Sequence, residues 1–283
     1  MGNRRLCLER ENMTKIRLIA SDLDGTLLQN GAQVLPEETC DLIKALYQKG
    51  IRFMAASGRQ YDNLERLFAP VKKEIWYLCQ NGASACVDGR VLFQEKMNRE
   101  AADALVDEVS ARADVEIMVD DFDCCYVDER NDAFYHLVKD VVGMHAEKVP
   151  DLHAYTSRCS KISLYEEPGL YDIEYWQKKY GDFFTVVTGG FQWLDMMAKD
   201  INKGTAMKQM LEQIGIASAE TAVLGDNLND LEMMELAGLA ATVPNGVPEV
   251  QEAAHVTVSS VISFMKEVLA GKDRIEDWKG NRR

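Results

Sequence analysis

Two carboxylates spaced two residues apart follow an apolar run near the start of the chain. Residues 16–20 have the composition of a buried strand, and Asp22 and Asp24 come just after them. One carboxylate of such a pair can attack phosphorus and form an acyl phosphate, while the other protonates the leaving oxygen and then activates water. Gly25 lets the chain turn sharply beside a ligand. An acidic loop with a turn glycine is the alternative, so this pair alone does not decide the function.

Two further polar segments could bind an anion. Ser57, Gly58 and Arg59 follow the apolar run 51–56, where a hydroxyl and free backbone N–H groups at a strand-to-helix turn can hold an anion. Ser57 could equally cap the following helix. Lys203 opens a helical pattern, where its charge opposes the helix macrodipole unless an anion lies nearby. A solvent-exposed surface lysine is the alternative for that position.

An acidic loop follows another apolar run late in the chain. Residues 222–224 are predicted to form a buried strand, and Asp226, Asn229 and Asp230 come after it. Carboxylates at this spacing suit a hard cation bound by oxygen, although Asn229 or Asp230 could instead cap a helix. Because the carboxyl ends of parallel strands meet at one edge of a sheet, the four segments are expected to converge on one crevice.

The elements that would position these segments alternate strand and helix. Strands in the first part are predicted at residues 16–20, 51–56 and 75–79. Amphipathic helices lie between them, and the same alternation returns after Lys203, which predicts βαβ crossovers and a parallel sheet. The middle of the chain instead begins with a hairpin at 83–95 and continues in α+β order. The predicted fold class is α/β, with an α+β domain inserted into the parallel-sheet core.

The predicted domain organisation has two parts. The core is expected at residues 15–84 and 191–271, and the inserted domain at residues 85–190. Residues 1–14 are expected to form a flexible N-terminal extension. Residues 272–283 are expected to form a polar C-terminal tail that frays.

Composition excludes several classes of protein. The formal net charge of −14 over 283 residues disfavours nucleic-acid binding, which needs a basic face. No stretch is apolar enough to span a membrane, and the first residues lack the pattern of a secretory signal. Seven cysteines occur without a CxxC pair, so neither a zinc ribbon nor a redox pair is expected. A reducing, cytoplasmic location is the expectation.

Together the four segments resemble the haloacid dehalogenase superfamily of phosphatases, in its Cof type. The family's nucleophile motif is similar to Asp22-x-Asp24-Gly-Thr-Leu-Leu, and its hydroxyl motif is similar to Ser57-Gly58-Arg59. Its lysine motif is similar to Lys203-Gly204, and its metal motif to Gly225-Asp226-x-x-Asn229-Asp230. The resemblance extends over most of the chain and its motifs occur in the family's order. It implies a Rossmann-like parallel-sheet core with an inserted α+β cap, which falls where the middle domain is predicted.

The resemblance also implies a role for each motif residue. Asp22 would be the nucleophile and Asp24 the general acid/base. Mg²⁺ would be held by Asp22, by the backbone carbonyl of Asp24 and by Asp226, while Asp230 would orient Lys203 or the waters of the metal. The residues expected to bind the transferring phosphoryl group are Leu23, Ser57, Gly58, Arg59, Lys203 and Asn229.

The activity implied by the resemblance is hydrolysis of small phosphorylated metabolites, sugar phosphates above all, without a nucleic-acid or membrane partner. A phosphomutase on the same fold is an alternative, because it would use the same aspartyl phosphate and return the group to a sugar. A non-catalytic ligand-binding protein is another, although its usual signature is the loss of a catalytic carboxylate. Here Asp22, Asp24 and Asp226 are all present. The oligomeric state is left open.

Overall fold

The computed structural model describes residues 13–166, 172–190 and 192–279. The strands are, in chain order, β1 (Leu18–Asp22), β2 (Arg52–Ala56), β3 (Ile75–Cys79), β4 (Ser84–Val87), β5 (Arg90–Gln94), β6 (Val115–Asp120), β7 (Cys125–Asp128), β8 (Ala146–Val149), β9 (Lys161–Glu166), β10 (Phe184–Gly190), β11 (Trp193–Ala198), β12 (Thr221–Gly225), β13 (Leu239–Thr242) and β14 (Val256–Thr257).

The helices connect these strands and cover the sheets. They are α1 (Thr39–Gln48), α2 (Tyr61–Leu67), α3 (Arg99–Ser110), α4 (Asp132–His136), α5 (His153–Thr156), α6 (Ile173–Tyr180), α7 (Lys203–Ile214), α8 (Leu231–Leu236), α9 (Pro248–Ala253), α10 (Val261–Leu269) and α11 (Glu276–Lys279). Within the described ranges, no helix is both long enough and apolar enough to cross a bilayer.

Two sheets organise the molecule. The larger has the order β14-β13-β12-β1-β2-β3-β4-β5, and the smaller has the order β10-β11-β9-β6-β7-β8. From β14 to β3 the larger sheet is parallel. The smaller sheet is antiparallel except for the pair β7 and β8. The predicted α/β class, with a parallel core and an inserted α+β segment, is confirmed.

Strand β1 lies at the centre of the larger sheet and is buried on both faces. Its residues alternate between two hydrophobic clusters, with Ile19 in one and Leu18 and Ala20 in the other. The register pairs Asp22 with Ala56 of β2, and its neighbour Ser21 with residue 224 of β12. The carboxyl ends of β1, β2 and β12 therefore lie side by side, so the polar loops that follow them leave the same edge of the sheet.

The strand pairing favours other boundaries for the inserted segment than the predicted 85–190. The hairpin of β4 and β5 pairs with β3 and extends the larger sheet, because the turn at Gln80–Gly82 reverses the chain directly after β3. At the other end, β11 pairs with β10 and β9 in the smaller sheet. We propose that the inserted domain runs from the end of β5 to the end of β11.

The C-terminal segment is better packed than its polar composition suggests. Trp278 is 3% exposed and packs on Phe264 with ring centroids 4.4 Å apart, while the backbone N–H of Ile275 donates to Thr14. The predicted fraying is not seen for residues 272–279, where the side chains of Ile275 and Trp278 are both buried. Residues 1–12 and 280–283, part of the predicted extension and tail, lie outside the described residues.

Candidate active site

The edge of the larger sheet at which β1, β2 and β12 end opens into a cavity of about 480 Å³ between the two sheets. The predicted site residues that line it are Asp22, Asp24, Ser57, Gly58, Arg59 and Asn229. Lys203, Asp226 and Asp230 are buried next to Asp22. The four segments thus converge on one place, as the parallel-sheet argument predicts.

Lys203 is the first residue of α7, and its side chain is fully buried between two carboxylates. The Nζ atom donates to Asp22 Oδ1 at 2.6 Å and to Asp230 Oδ1 at 2.7 Å. Burial would lower the pKa of Lys203, but the two carboxylates raise it overall, so the ammonium stays charged. The alternative of a surface lysine is wrong for this residue.

Hydrogen bonds within the loop after β12 orient Asp230, and a hydrogen bond from the loop after β1 orients Asp226. Asp230 Oδ2 accepts from the backbone N–H groups of Asp226 and Asn227 at 3.0 and 3.2 Å. Asp226 Oδ1 accepts from the hydroxyl of Thr26 at 2.5 Å. Gly25 makes this approach possible, because a Cβ at its position would lie 2.2 Å from Asp226 Oδ2, and its φ of +96° is left-handed.

Asp22, Asp226 and Asp230 offer carboxylate oxygens that lie within 4.8 Å of one another. With Lys203 we call them the core cluster. Burial raises the pKa of Asp22 well above its usual range and also raises that of Asp226; the carboxylate of Asp230 adds to both rises and Lys203 opposes them. One ammonium does not balance three carboxylates. A divalent cation would offset this excess charge, and an all-oxygen donor set suits a hard ion such as Mg²⁺. The residues therefore fit the metal implied by the family.

Asp24 is held at the exposed side of the cavity by Arg59. The guanidinium donates through Nε to Asp24 Oδ2 at 2.9 Å and through Nη2 to Asp24 Oδ1 at 2.5 Å. It also donates to Asn63 and Gln33. The side chain of Asp24 is 54% exposed, so water reaches it. In this structure the predicted phosphate ligand Arg59 is thus engaged with the predicted general acid.

The remaining predicted ligands differ in their surroundings. Ser57 is buried and its Oγ accepts from the N–H of Arg59 at 3.2 Å, whereas the N-cap of α2 is Gln60. The alternative of a simple helix cap is therefore wrong for Ser57. The side chain of Leu23 packs in the hydrophobic core, so only its backbone could contact a phosphoryl group.

Several cavity residues carry no local sequence motif. Lys161 and Ser163 of β9 and Asp195 of β11 line the cavity from the smaller sheet. With Asp120 of β6 they form a buried group that we call the cap cluster. Asn81 lines the same cavity from the turn after β3. The dipeptide Asn81-Gly82 signals a turn in the sequence, but nothing in it indicates a contact with the site.

A second group of metal-binding residue types lies in the smaller sheet. Cys124, His145 and Glu147 also have ligand atoms within 4.8 Å of one another. The cysteine is buried, while His145 and Glu147 are exposed, and the three do not line the cavity.

Comparison with known proteins assigns the family. A family model described as haloacid dehalogenase-like hydrolase matches residues 19–262. The chain belongs to this family. The predicted resemblance is confirmed, including its Cof type, and the chain is a phosphoric monoester hydrolase of the haloacid dehalogenase family. The inserted domain can accordingly be called the cap.

Two curated relatives and one solved structure illustrate the likeness. The chain is 27% identical over 249 residues to the 5-amino-6-(5-phospho-D-ribitylamino)uracil phosphatase YbjI of Escherichia coli strain K12, covering 87% of this chain and 91% of the relative. It is 25% identical over 252 residues to the HMP-PP phosphatase of Cronobacter sakazakii, covering 86% and 89%. A crystal structure from Eubacterium rectale superposes with a TM-score of 0.77 at 28% identity, covering 89% and 98%.

Proposed function

We propose that this enzyme is a Mg²⁺-dependent phosphatase of small phosphorylated metabolites that works through an aspartyl phosphate on Asp22. The observation that carries the proposal is the core cluster at one end of the cavity. There the buried ammonium of Lys203 donates to the carboxylates of Asp22 and Asp230, and Asp226 offers a third carboxylate oxygen within 4.8 Å of theirs. Such an arrangement suits a nucleophile that must meet an anionic phosphoryl group.

The reaction would proceed in two balanced steps. An Asp22 oxygen attacks phosphorus, the bond from phosphorus to the leaving oxygen breaks, and Asp24 gives its proton to that oxygen. Asp24 then takes a proton from water, the hydroxyl attacks phosphorus, and the bond to Asp22 breaks with release of inorganic phosphate. Arg59 donates to both carboxylate oxygens of Asp24. Its guanidinium must therefore release one of these oxygens when Asp24 is protonated.

The metal would be held by the carboxylates of Asp22 and Asp226 and by the backbone carbonyl of Asp24. When bound it would screen the nucleophile from the phosphate and stabilise charge on the transferring oxygens. Asp230 is occupied by Lys203 and by two backbone N–H groups, which supports its role in orienting Lys203. Ser57, Gly58 and Asn229, which line the same cavity, would bind the phosphoryl oxygens.

The leaving group would lie against the cap. One relative is named for a ribitylamino-uracil phosphate and the other for HMP-PP. The cap wall of this cavity combines the polar residues Lys161, Ser163 and Asp195 with the apolar residues Met118, Met144 and Trp193. Sugar phosphates remain the first candidates, and phosphates of heterocycles are the second, because the wall offers both polar and apolar side chains.

Hydrolysis is favoured over the phosphomutase alternative by the exposure of Asp24. A mutase must keep water away from the aspartyl phosphate, whereas here the predicted general base is 54% exposed. The non-catalytic alternative is disfavoured because Asp22, Asp24 and Asp226 all lie at the site.

The test is to incubate the purified protein with p-nitrophenyl phosphate and a panel of phosphorylated metabolites, with and without Mg²⁺. We expect release of inorganic phosphate that depends on the metal. An isomeric sugar phosphate as the main product would identify a mutase. Absence of any turnover with Mg²⁺ over the whole panel would contradict the proposed reaction.

The expected cytoplasmic location stays a prediction. It is supported by the cysteines of the described ranges, which are free thiols and mostly buried. Fractionation of the native cells with an antibody against the protein would test it.

A further inference from the structure

The turn after β3 has a rare backbone conformation between the core and the cap. Gln80 and Asn81 have φ values of 53° and 55°, and Gly82 follows at 104°, so three successive residues are left-handed. The side chains of Gln80 and Asn81 are buried. Non-glycine residues in this region cost roughly 1 kcal/mol or more each, and they persist where surrounding contacts hold them. The partners of these two side chains are different.

The carboxamide of Asn81 joins the cap to the phosphate-binding side of the cavity. Its Nδ2 donates to Asp195 Oδ2 of the cap at 3.1 Å. Its Oδ1 accepts from Nδ2 of Asn229 at 3.1 Å. In addition, the backbone N–H of Asn81 donates to the carbonyl of Ser57 at 3.0 Å. A single residue therefore contacts Asp195 and two of the segments predicted to bind the phosphoryl group.

The segment at Gly58 is held from both sides. A Cβ at Gly58 would lie 3.2 Å from both amide atoms of Asn81, so the amide packs directly against this backbone. From the cap, Lys161 Nζ donates to the carbonyl of Gly58 at 3.4 Å and to Asp195 Oδ1 at 3.2 Å. The cap and Asn81 thus contact the same short stretch of the phosphate-binding loop.

The polarity of these hydrogen bonds determines how Asn229 is oriented. An ionised carboxylate only accepts, so Asp195 requires the Nδ2 side of the Asn81 amide. The Oδ1 side of Asn81 must then face Asn229, which has to present its own Nδ2 in return. That nitrogen carries a second N–H, which remains for a phosphoryl oxygen. Asp195 of the cap therefore sets the donor orientation of Asn229 through Asn81.

Gln80 provides the internal comparison. It has the same left-handed conformation, and its side chain also reaches the cap, donating to the carbonyl of Asp121 at 2.8 Å and accepting from Ser160 at 3.0 Å. Its remaining side-chain partner is Ser84. None of these partners is a predicted site residue.

We propose that Asn81 is a positioning residue that orients Asn229 towards the transferring phosphoryl group and makes this orientation depend on Asp195 of the cap. The inference rests on the proposed phosphatase reaction and adds a route by which the cap acts on the phosphoryl group itself. The sequence signal at this position was a turn, which accounts for the backbone of Asn81 and not for its side chain.

The first experiment compares N81G with Q80G. Glycine keeps the left-handed backbone at no steric cost, so each variant removes only a side chain. We expect N81G to lower kcat/KM by about 10- to 100-fold, the loss for a buried hydrogen bond, by a similar factor for every leaving group. The inhibition constant of inorganic phosphate should rise as well. In Q80G both quantities should change by less than about threefold.

The second experiment exchanges the two partners. N81D places a carboxylate against Asp195 and should lose activity by at least about tenfold. In the double variant N81D/D195N the new amide can donate to the new carboxylate, which still accepts from Asn229. We expect the double variant to regain most of the activity and the phosphate affinity lost in N81D. Circular dichroism and thermal melts would show that each variant is folded.

Three results would overturn the inference. Equal losses in N81G and Q80G would mean that the turn only holds the cap in place. Losses that vary with the leaving group would make Asn81 a contact of the leaving group. A double variant no better than N81D would remove the role of Asp195. If the unmodified enzyme released no phosphate, the proposed function would fail instead, so the two failures are distinguishable.

Discussion

Two buried lysines lie between pairs of carboxylates, one in the core cluster and one in the cap cluster. Lys203 is 0% exposed and donates to Asp22 and Asp230 at 2.6 and 2.7 Å. Lys161 is 5% exposed, and its Nζ lies 3.2 Å from Asp195 and 3.7 Å from Asp120. In both cases burial would lower the pKa of the lysine and the neighbouring carboxylates raise it overall.

The difference in distance has a functional meaning. The short contacts of Lys203 hold the ammonium against the proposed nucleophile Asp22 and against Asp230, which suits a group that must keep its charge at one fixed place. Lys161 also makes two hydrogen bonds, but both are longer, at 3.2 Å to Asp195 and 3.4 Å to the carbonyl of Gly58, and unlike Lys203 it lines the cavity. We therefore propose that the core cluster acts on the phosphoryl group common to all substrates, and the cap cluster on the part that varies.

The largest expected difference in activity comes from replacing one carboxylate in each cluster. D22N should lower kcat by at least about 1,000-fold, because a neutral amide cannot form the acyl phosphate. D195N in the cap should cost about 10- to 100-fold at most, since the chemistry at phosphorus would remain. Rates with p-nitrophenyl phosphate would measure both. Turnover of D22N close to that of the unmodified enzyme would contradict a mechanism through an aspartyl phosphate on Asp22.

A smaller effect compares the lysines directly. K203M should lower kcat by about 100- to 1,000-fold for every substrate, as expected when a charged group at the reacting centre is removed. It should also destabilise the fold by about 3–5 kcal/mol, because two buried carboxylates lose their partner. K161M should cost about tenfold or less, by a factor that depends on the leaving group. The reverse ranking would contradict the assignment of the two clusters.

Metal binding should be confined to the core cluster. At a Mg²⁺ concentration about 100 times the dissociation constant, the Tm should rise by about 5 °C, and chelation with EDTA should abolish both this shift and the activity. D226N should eliminate the Tm shift, whereas D120N, which removes a carboxylate from the cap cluster, should keep it. Differential scanning fluorimetry provides the measurement. A shift that survives D226N would place the metal elsewhere.

The smallest effect is a pH dependence that originates in the cap cluster. Burial raises the pKa of Asp120 to about 6, with Asp195 adding to the rise, while Lys161, Ser163 and Gln60 oppose it. Between the unfolded pKa near 4 and the folded pKa of about 6 the folded state binds more protons. The free energy of unfolding should therefore fall as the pH rises through this window, by up to about 3 kcal/mol from this group.

D120N removes the titrating carboxyl and keeps a polar side chain of the same size. Urea titrations at pH 4 and pH 7 would give the free energy of unfolding of D120N and of the unmodified protein. From pH 4 to pH 7 the stability of D120N relative to the unmodified protein should rise by up to about 3 kcal/mol. An unchanged difference would show that Asp120 titrates near its usual value in the folded protein.

The parallel part of the fold could be predicted because its signals are local. Strands β2 and β3 lie at the predicted apolar runs, while β1 begins two residues later than predicted, so that Asp22 is its last residue. The hairpin of β4 and β5 was recognisable as a hairpin, but its membership of the larger sheet was not, because pairing with β3 depends on the left-handed turn at Gln80–Gly82. Strand β8 and helix α5 carry too few periodic residues to be seen.

The sequence alone determined which residues could carry the reaction. Asp22, Asp24 and Asp226 lie at or just after the ends of adjacent strands, and Lys203 begins a helix, so each has a recognisable place in the sequence. Such motifs are local because a strand end and the turn after it are specified by a few consecutive residues.

Only the tertiary structure decided how that site is completed. Asp120, Lys161 and Asp195 come from three strands, and they form one cluster because β9 pairs between β6 and β11. Arg59 holds Asp24, and Asn81 connects Asp195 to Asn229, across separations of 35, 114 and 148 residues. These contacts depend on strand pairing and on burial of charges away from water, which no short stretch of sequence specifies.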